Sequence, residues 1–295
     1  MKSILITVAL LLASPLSHAA ATQCPALFAK NTAPDLLSAN IGQKTRPLCF
    51  ETFGVLYSGI ALGPLWSAEH LTKASVDQAR GLVRVDKFHE EPQLRSMPHA
   101  TLADFSRSGF DRGHMSPNGD MPDTTAQFES FSLANMVPQS PPNNRGVWAG
   151  IEAVVRDMAS RDGEVFVVTG PIYEGSQLQK LNGRVLVPSY LYKAVYNPKR
   201  QAAAVYITPN APGSEYKVVS IAALQERAHI DPFPALPAAI KNATLNLPAP
   251  TESHHASIAP AKRTRAVADK STDQSLWDWF EAEIMRLINQ WARSL

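Results

Sequence analysis

The hydrophobic pattern changes period several times along this chain, and each change marks a different element. Ile4 to Leu12 is an apolar run without a charge behind Lys2, closed by Pro15 and the small residues around Ser17-His18-Ala19. A positive, then apolar, then small-residue order predicts a secretory signal peptide over residues 1–19. The run is shorter than a bilayer span requires. Residues 20–45 show no periodicity. Leu48 to Tyr57, carrying Phe50, Phe53, Val55 and Leu56, reads as one strand; Ile60 to Leu65 extends the sheet, and Ala68 to Leu71 is a short polar connector. Residues 85–108, with His89, Pro92 and Pro98, read as a long surface loop, a length that in a compact domain is often functional.

Asp111 to His114 reads as a short strand ending near Met115, and Pro117-Asn118-Gly119-Asp120 as a turn. Thr124 to Phe131 is a short helix. Trp148, Ile151, Val155 and Met158 fall at helical spacing. The period then shortens: Val165–Thr169, Arg184–Val187, Tyr190–Tyr196 and Ala203–Thr208 are β-branched and aromatic runs that predict an antiparallel sheet. Ser220 to Arg227 is one more helix. The expected class is α+β, a mixed, mainly antiparallel sheet with helices, in a domain spanning 20–242.

Residues 243–275 are rich in Pro, Ala, Ser and Thr and read as a linker. Its His254-His255 pair and Lys262-Arg263-Thr264-Arg265 cluster read as solvated linker residues. In 276–295, Leu276, Trp277, Phe280, Ile284, Leu287, Ile288, Trp291 and Leu295 fall at helical spacing. An amphipathic helix there fits docking on its own domain, self-association or an unknown partner. Its acidic residues outnumber its basic ones, a poor match to anionic lipid.

The chain has 295 residues, 45% of them hydrophobic, enough for one sizeable core with extensions. With 28 basic and 26 acidic residues the net charge is only +2, so nucleic acid would have to be met by a local basic cleft. The two cysteines, Cys24 and Cys49, lie soon after the predicted cleavage site. In an exported chain, periplasmic or secreted, an even count favours a disulfide, with a stabilisation of about 3 kcal/mol in the chain-entropy model.

Candidate chemistry is concentrated in Gly109-Phe110-Asp111-Arg112-Gly113-His114-Met115-Ser116-Pro117. A second cluster holds Asn135-Met136-Val137-Pro138-Gln139, Asn143-Asn144-Arg145-Gly146-Val147-Trp148 and Glu152. Phosphodiester hydrolysis requires a base for water, stabilisation of the leaving oxygen and neutralisation of phosphorane charge. Histidine suits the first near neutral pH. A divalent cation suits the second as a Lewis acid, and the arginine fork suits the third. Gly113 permits a tight turn or a close approach. Asn144, at the start of a helix, suits a hard cation such as Mg²⁺ through its amide oxygen; helix capping is the other use of an Asn there. Asn135 reads as organising its loop with Gln139 rather than binding metal.

In that order, Asp111-Arg112-Gly113-His114, Asn135 with Pro138-Gln139, Asn144 with Gly146 and Trp148, and Glu152 resemble the DNA/RNA non-specific endonuclease family of the Serratia nuclease and endonuclease G type. The resemblance spans roughly residues 45–230 and implies a ββα-metal (His-Me finger) site in an α+β domain. It implies His114 as the general base, Asn144 as the protein ligand of Mg²⁺, and Glu152 as a carboxylate acting on metal-bound water. It also implies Arg112 near the scissile phosphate and Asn135 in support. The family's additional upstream arginine, which stabilises the transition state, has Arg84 as its nearest counterpart, at a different spacing to the following aromatic. Met115 stands where the family has a polar residue. DNA and RNA are the implied partners, a homodimer is compatible, and Mn²⁺ should substitute for Mg²⁺. Phosphate rather than base contacts imply little sequence preference and salt-weakened binding.

A serine hydrolase fits less well: no Gly-x-Ser-x-Gly occurs, and Ser106 and Ser108 have no designated base. A catalytically silent nucleic-acid-binding scaffold would lack the base or the ligand, and both are present. A nuclease toxin with a partner-binding tail is compatible with the C-terminal segment.

Overall fold

The computed structural model describes residues 23–175 and 177–250. The expected signal peptide, most of the expected linker and the amphipathic segment 276–295 lie outside the described residues. The strands that organise the domain are β1 (Thr45–Cys49), β2 (Phe53–Ser58), β3 (Gly63–Thr72), β4 (Asp111–His114), β5 (Met136–Gln139), β6 (Glu164–Ile172), β7 (Tyr190–Asn197), β8 (Ala202–Pro209) and β9 (Lys217–Val219). The main helices are α1 (Lys73–Ala79), α2 (Thr124–Ser130), α3 (Ala149–Asp162) and α4 (Ile221–Ala228).

Seven strands form one antiparallel sheet in the order β9-β8-β7-β6-β3-β2-β1. It is two meanders, β1–β3 and β6–β9, joined where β3 pairs with β6. The chain between those central strands, residues 73–163, forms a layer on one face. That layer holds α1, a long irregular stretch, α2, the separate β4–β5 hairpin and α3. This is the α+β, mainly antiparallel architecture expected.

Alternation along the strands builds two cores. On one face Leu71, Val165, Val167, Leu191 and Val195 pack against Trp148, Ile151, Val155 and Met158 of the α3 region. On the other, Trp66, Ala68, Val168, Tyr192 and Tyr196 meet Phe28, Ile221, Leu224 and Phe233. A disulfide joins Cys24 to Cys49, pinning the N-terminal segment to the end of β1. Leu245 N donates to Ala203 O at 3.0 Å, Leu247 is buried in the α3-side core, and Tyr206 Oη donates to Pro248 O at 2.6 Å. The first residues of the expected linker therefore lie along the domain.

Several element boundaries differ from the sequence expectation. Leu48–Tyr57 is a hairpin rather than one strand: the chain turns at 50–52, closed by the bond from Phe50 N to Phe53 O (2.9 Å) and by stacking of the two rings at 4.5 Å. Ala68–Leu71 lies inside β3 rather than in a connector, because the polar side chain of Glu69 is turned into the interior, 1% exposed. Residues 85–108 hold only two short helical turns, Pro92–Leu94 and Leu102–Phe105, and are anchored by the buried Leu94, Ala100 and Phe105. Val185–Leu186 pairs only with Lys180–Leu181, outside the main sheet.

Candidate active site

The site begins with a steric requirement in the β4–β5 hairpin. Asp111 pairs with Gln139, Gly113 with Val137 and His114 with Met136. A Cβ on Gly113 would stand 2.0 Å from Gln139 Oε1 and 2.6 Å from Gln139 Cβ, so only glycine fits. Gln139 Nε2 donates to Asn143 Oδ1 (2.8 Å), and Asn143 Nδ2 donates to Thr208 Oγ1 (3.0 Å) and Pro209 O (2.9 Å). This buried chain ties the hairpin to the sheet and to the turn that leads into α3. That turn, Asn144–Trp148, bends at Gly146 (φ −106°, ψ −111°), and α3 follows.

Of the two adjacent asparagines, Asn143 is buried in that network, whereas Asn144 faces β4. Asn144 Nδ2 donates to Asp111 Oδ2 at 2.9 Å. An ionised carboxylate only accepts, so the amide nitrogen must face Asp111 and the amide oxygen must turn the other way. Asp111 also receives a bidentate Arg145 pair at 2.9 and 2.7 Å.

The His114 ring is 8% exposed and packed in aromatic surroundings, 5.1 Å from Phe131 and 5.8 Å from Phe88 between centroids. Its Nε2 is buried without a hydrogen-bond partner in the protein. Burial, followed by the nearby Arg84 guanidinium, holds its imidazole down at about 3 against the opposing pull of Asp86. The ring is therefore neutral at neutral pH. The same aromatics hold the arginines: Arg84 lies 5.3 Å from the Phe131 centroid and Arg112 4.0 Å from that of Phe88. Arg84 is ion-paired with Asp86 at 2.6 Å.

Glu152 is on the first turn of α3, on the face turned to the hairpin. Burial pushes its carboxyl up to about 7, against the lowering influence of Lys193 and Arg156. One turn further, Arg156 reaches the buried Asp120 at 2.7 Å.

These groups share one cleft of about 680 Å³, lined by Arg84, Arg112, His114, Asn144, Glu152 and Arg156 together with Asp86, Phe88, Asp111 and Arg145. Five of the six residues selected from sequence converge there. The sixth, Asn135, lies beneath it, fully buried. Its Oδ1 accepts from Ser116 N and Ser67 Oγ (both 3.0 Å), and its Nδ2 donates to Ser116 O (2.8 Å) and Ser130 O (3.0 Å). Two of these bonds hold Ser116, in the chain just after the histidine, and the other two tie the amide to Ser67 and Ser130.

Sequence reading missed Arg156, Asp120, Asp86 and the aromatic pair. The spacing of Glu152 and Arg156, four apart on one helix, was the available signal for the first. It also missed the polar residues on the sheet face below: Glu69, Thr169 and Lys193, all 1% exposed or less. A larger hollow of about 870 Å³ opens on the opposite face of the sheet, where Arg227 pairs with Glu174 at 2.7 Å. It shares no residue with the cleft that holds His114, and the residues singled out from the sequence line the smaller one.

The donor set fits a hard divalent cation: an amide oxygen turned from its carboxylate partner, and a carboxyl in a setting that disfavours its charge. Among the described residues no cluster of three His, Cys, Asp or Glu side chains is arranged to hold a metal, so the fit is that of a weak, partly hydrated ion. Among them, too, no helix is long and apolar enough to cross a membrane.

Residues 35–239 match the model of the family described as DNA/RNA non-specific endonuclease. The chain is 39% identical over 160 residues to Nuclease C1 of Cunninghamella echinulata var. echinulata, covering 49% of this chain and 64% of that protein. It is 33% identical over 194 residues to the mitochondrial nuclease EXOG of Danio rerio, covering 59% of this chain and 56% of that one. The match thus spans between about half and two thirds of these relatives' own length. A chain in the crystal structure of the EndoG/EndoGI complex superposes with a TM-score of 0.58 at 25% identity, covering 65% of this chain and 91% of that chain. With the family model covering the sheet, the hairpin and α3 alike, the chain belongs to the DNA/RNA non-specific endonuclease family.

Proposed function

We propose that this chain is an exported, metal-dependent endonuclease that hydrolyses phosphodiester bonds of DNA and RNA with little sequence preference. The observation that carries this is the convergence of Arg84, Arg112, His114, Asn144 and Glu152 in a single cleft. His114 takes a proton from water, whose oxygen bonds to phosphorus as the bond to the departing sugar oxygen breaks. Burial is the larger cause of the depression of His114; an anionic phosphate beside Arg84 and Arg112 offsets the part that their positive charge adds, so basicity rises when substrate is bound. The guanidiniums of Arg112 and Arg84 face the equatorial phosphate oxygens, with Arg84 leaving Asp86 to do so. Asn144 Oδ1 would hold Mg²⁺ as its protein ligand, and Glu152 would act on the water that the ion carries. Bound there, the cation supplies Lewis-acid stabilisation of the leaving oxygen. Asn135 keeps the segment after His114 fixed. The Cys24–Cys49 bridge supports export, since such bonds persist in oxidising compartments.

The test is to incubate the purified mature protein with plasmid DNA and with RNA, in Mg²⁺ or in EDTA, beside His114→Ala. Both polymers should be degraded, and chelation or the substitution should slow cleavage by about 100-fold or more. Folded, oxidised protein that binds DNA yet cuts neither polymer in Mg²⁺ or Mn²⁺ would replace this reading with that of a binding scaffold.

A further inference from the structure

Lys193 lies in the middle of β7, 1% exposed, between Leu191 and Val195, which pack under α3. It pairs across the sheet with Thr169, which pairs in turn with Ser67. Its Nζ donates to Thr169 Oγ1 at 2.7 Å and, at 3.4 Å, to the carbonyl of Met115. It also stands 5.3 Å from the centroid of the Trp148 ring. Met115 directly follows His114. Trp148 immediately precedes α3, with Asn144 four residues before it and Glu152 four after. One side chain thus touches both elements that carry the reacting groups. A lysine is a costly filler for this space, since an apolar side chain of similar volume packs without desolvating a polar head. Glu69, two residues from Ser67 on the same face, has both carboxylate oxygens buried without hydrogen bonds, so it does not fix Lys193 by a direct bond.

We propose that Lys193, held by Thr169, is a positioning residue that sets the strand bearing His114 against the turn and helix bearing Asn144 and Glu152. The proposal rests on the nuclease reading of that cleft. Losing the tether lets the hairpin and the helix head shift by a fraction of an ångström, enough to lower turnover while leaving substrate binding intact.

Lys193→Met preserves length and apolar contacts but removes the donors, and Thr169→Val removes only the hydroxyl that fixes the amine. With a single-stranded oligonucleotide and saturating Mg²⁺, Lys193→Met should lower kcat by about 10- to 100-fold with KM within about twofold. Its thermal midpoint should not fall. Thr169→Val should lower kcat by roughly threefold or more. In both, amide hydrogen exchange of the β4–β5 hairpin should speed up while that of β6 and β7 is unchanged. A kcat within twofold of wild type together with unchanged hairpin exchange overturns the proposal. So does a kcat loss that merely follows a loss of folded protein. If Lys193→Met does not fold, Thr169→Val decides by the same two readouts. Inactive wild type would defeat the nuclease reading, whereas the exchange measurement needs no substrate and still decides the role of Lys193.

Discussion

Asn144 Nδ2 donates to Asp111 Oδ2 at 2.9 Å, and this bond decides which atom of Asn144 is presented to the cleft. Because the carboxylate accepts only, the amide cannot rotate by half a turn without losing the contact. Asp111→Asn keeps the shape but allows either amide orientation, and it also weakens the bidentate hold of Arg145. The half-saturating Mg²⁺ concentration should rise by about tenfold or more, as for other groups that orient a metal ligand. A metal titration of cleavage rate measures it, and Mn²⁺ binding followed by magnetic resonance checks the same shift without turnover. An unchanged metal requirement would mean that the bond does not orient the amide.

Gly113 is fixed by the close approach of Gln139, not by an unusual backbone angle. Gly113→Ala places a methyl 2.6 Å from Gln139 Cβ, which no side-chain rotation can relieve, so the hairpin strands must part. The expected cost is about 1–3 kcal/mol, a fall in thermal midpoint of roughly 2–4 °C per kcal/mol for a domain of this size. Activity should fall further than stability, since His114 is the next residue. Combined with Gln139→Gly, the substitution should cost less than the sum of the two single changes. Strict additivity would show that the clash is not the cause.

How much of this was legible depended on whether the chemistry lay along the chain or across it. Asp111–His114 is contiguous, so its strand and its histidine could be read directly, and the period of Trp148 to Met158 gave α3. The turn at 50–52 was hidden because Phe50 is apolar and the reversal is closed by a backbone bond and a ring stack rather than by turn residues. Glu69 misled, and Lys193 went unremarked, for a related reason: a charged residue within a strand suggests a connector or a solvent face, but here the sheet's inner face is polar beneath the site. Sequence favoured Asn144 among the asparagines, but only the register of β4 against the Asn144–Trp148 turn separates its setting from that of Asn143, held by Gln139 and Thr208. The place of Arg84 depended on Phe131, 47 positions away, whose ring packs against both that arginine and His114.

The pH dependence of stability carries the signature of two site groups displaced in opposite directions. His114 is depressed by burial and by Arg84 to about 3, from an ordinary 6.5. The stability it contributes is present above about 6.5 and lost as pH falls toward 3, because the unfolded chain takes up the proton first. Glu152 is raised by burial to about 7, from 4.5. Its contribution is present below about 4.5 and lost as pH rises to about 7, because over that range the unfolded chain ionises while the native carboxyl keeps its proton. Each displaced unit corresponds to about 1.4 kcal/mol, and solvent reaching Glu152 makes the full shift an upper bound for it. In EDTA, urea midpoints measured from pH 4 to 8 should therefore respond differently to the two substitutions. Glu152→Gln should remove a loss between pH 4.5 and 7, and His114→Gln should remove a loss below pH 6.5. Mg²⁺ should stabilise the wild type more at pH 8 than at pH 5, since a cation and a proton compete for the same carboxylate. Glu152→Gln should show little of that difference. Parallel stability profiles for the wild type and both variants would mean that neither group is displaced in the folded protein, and the electrostatic account of the cleft would fall with it.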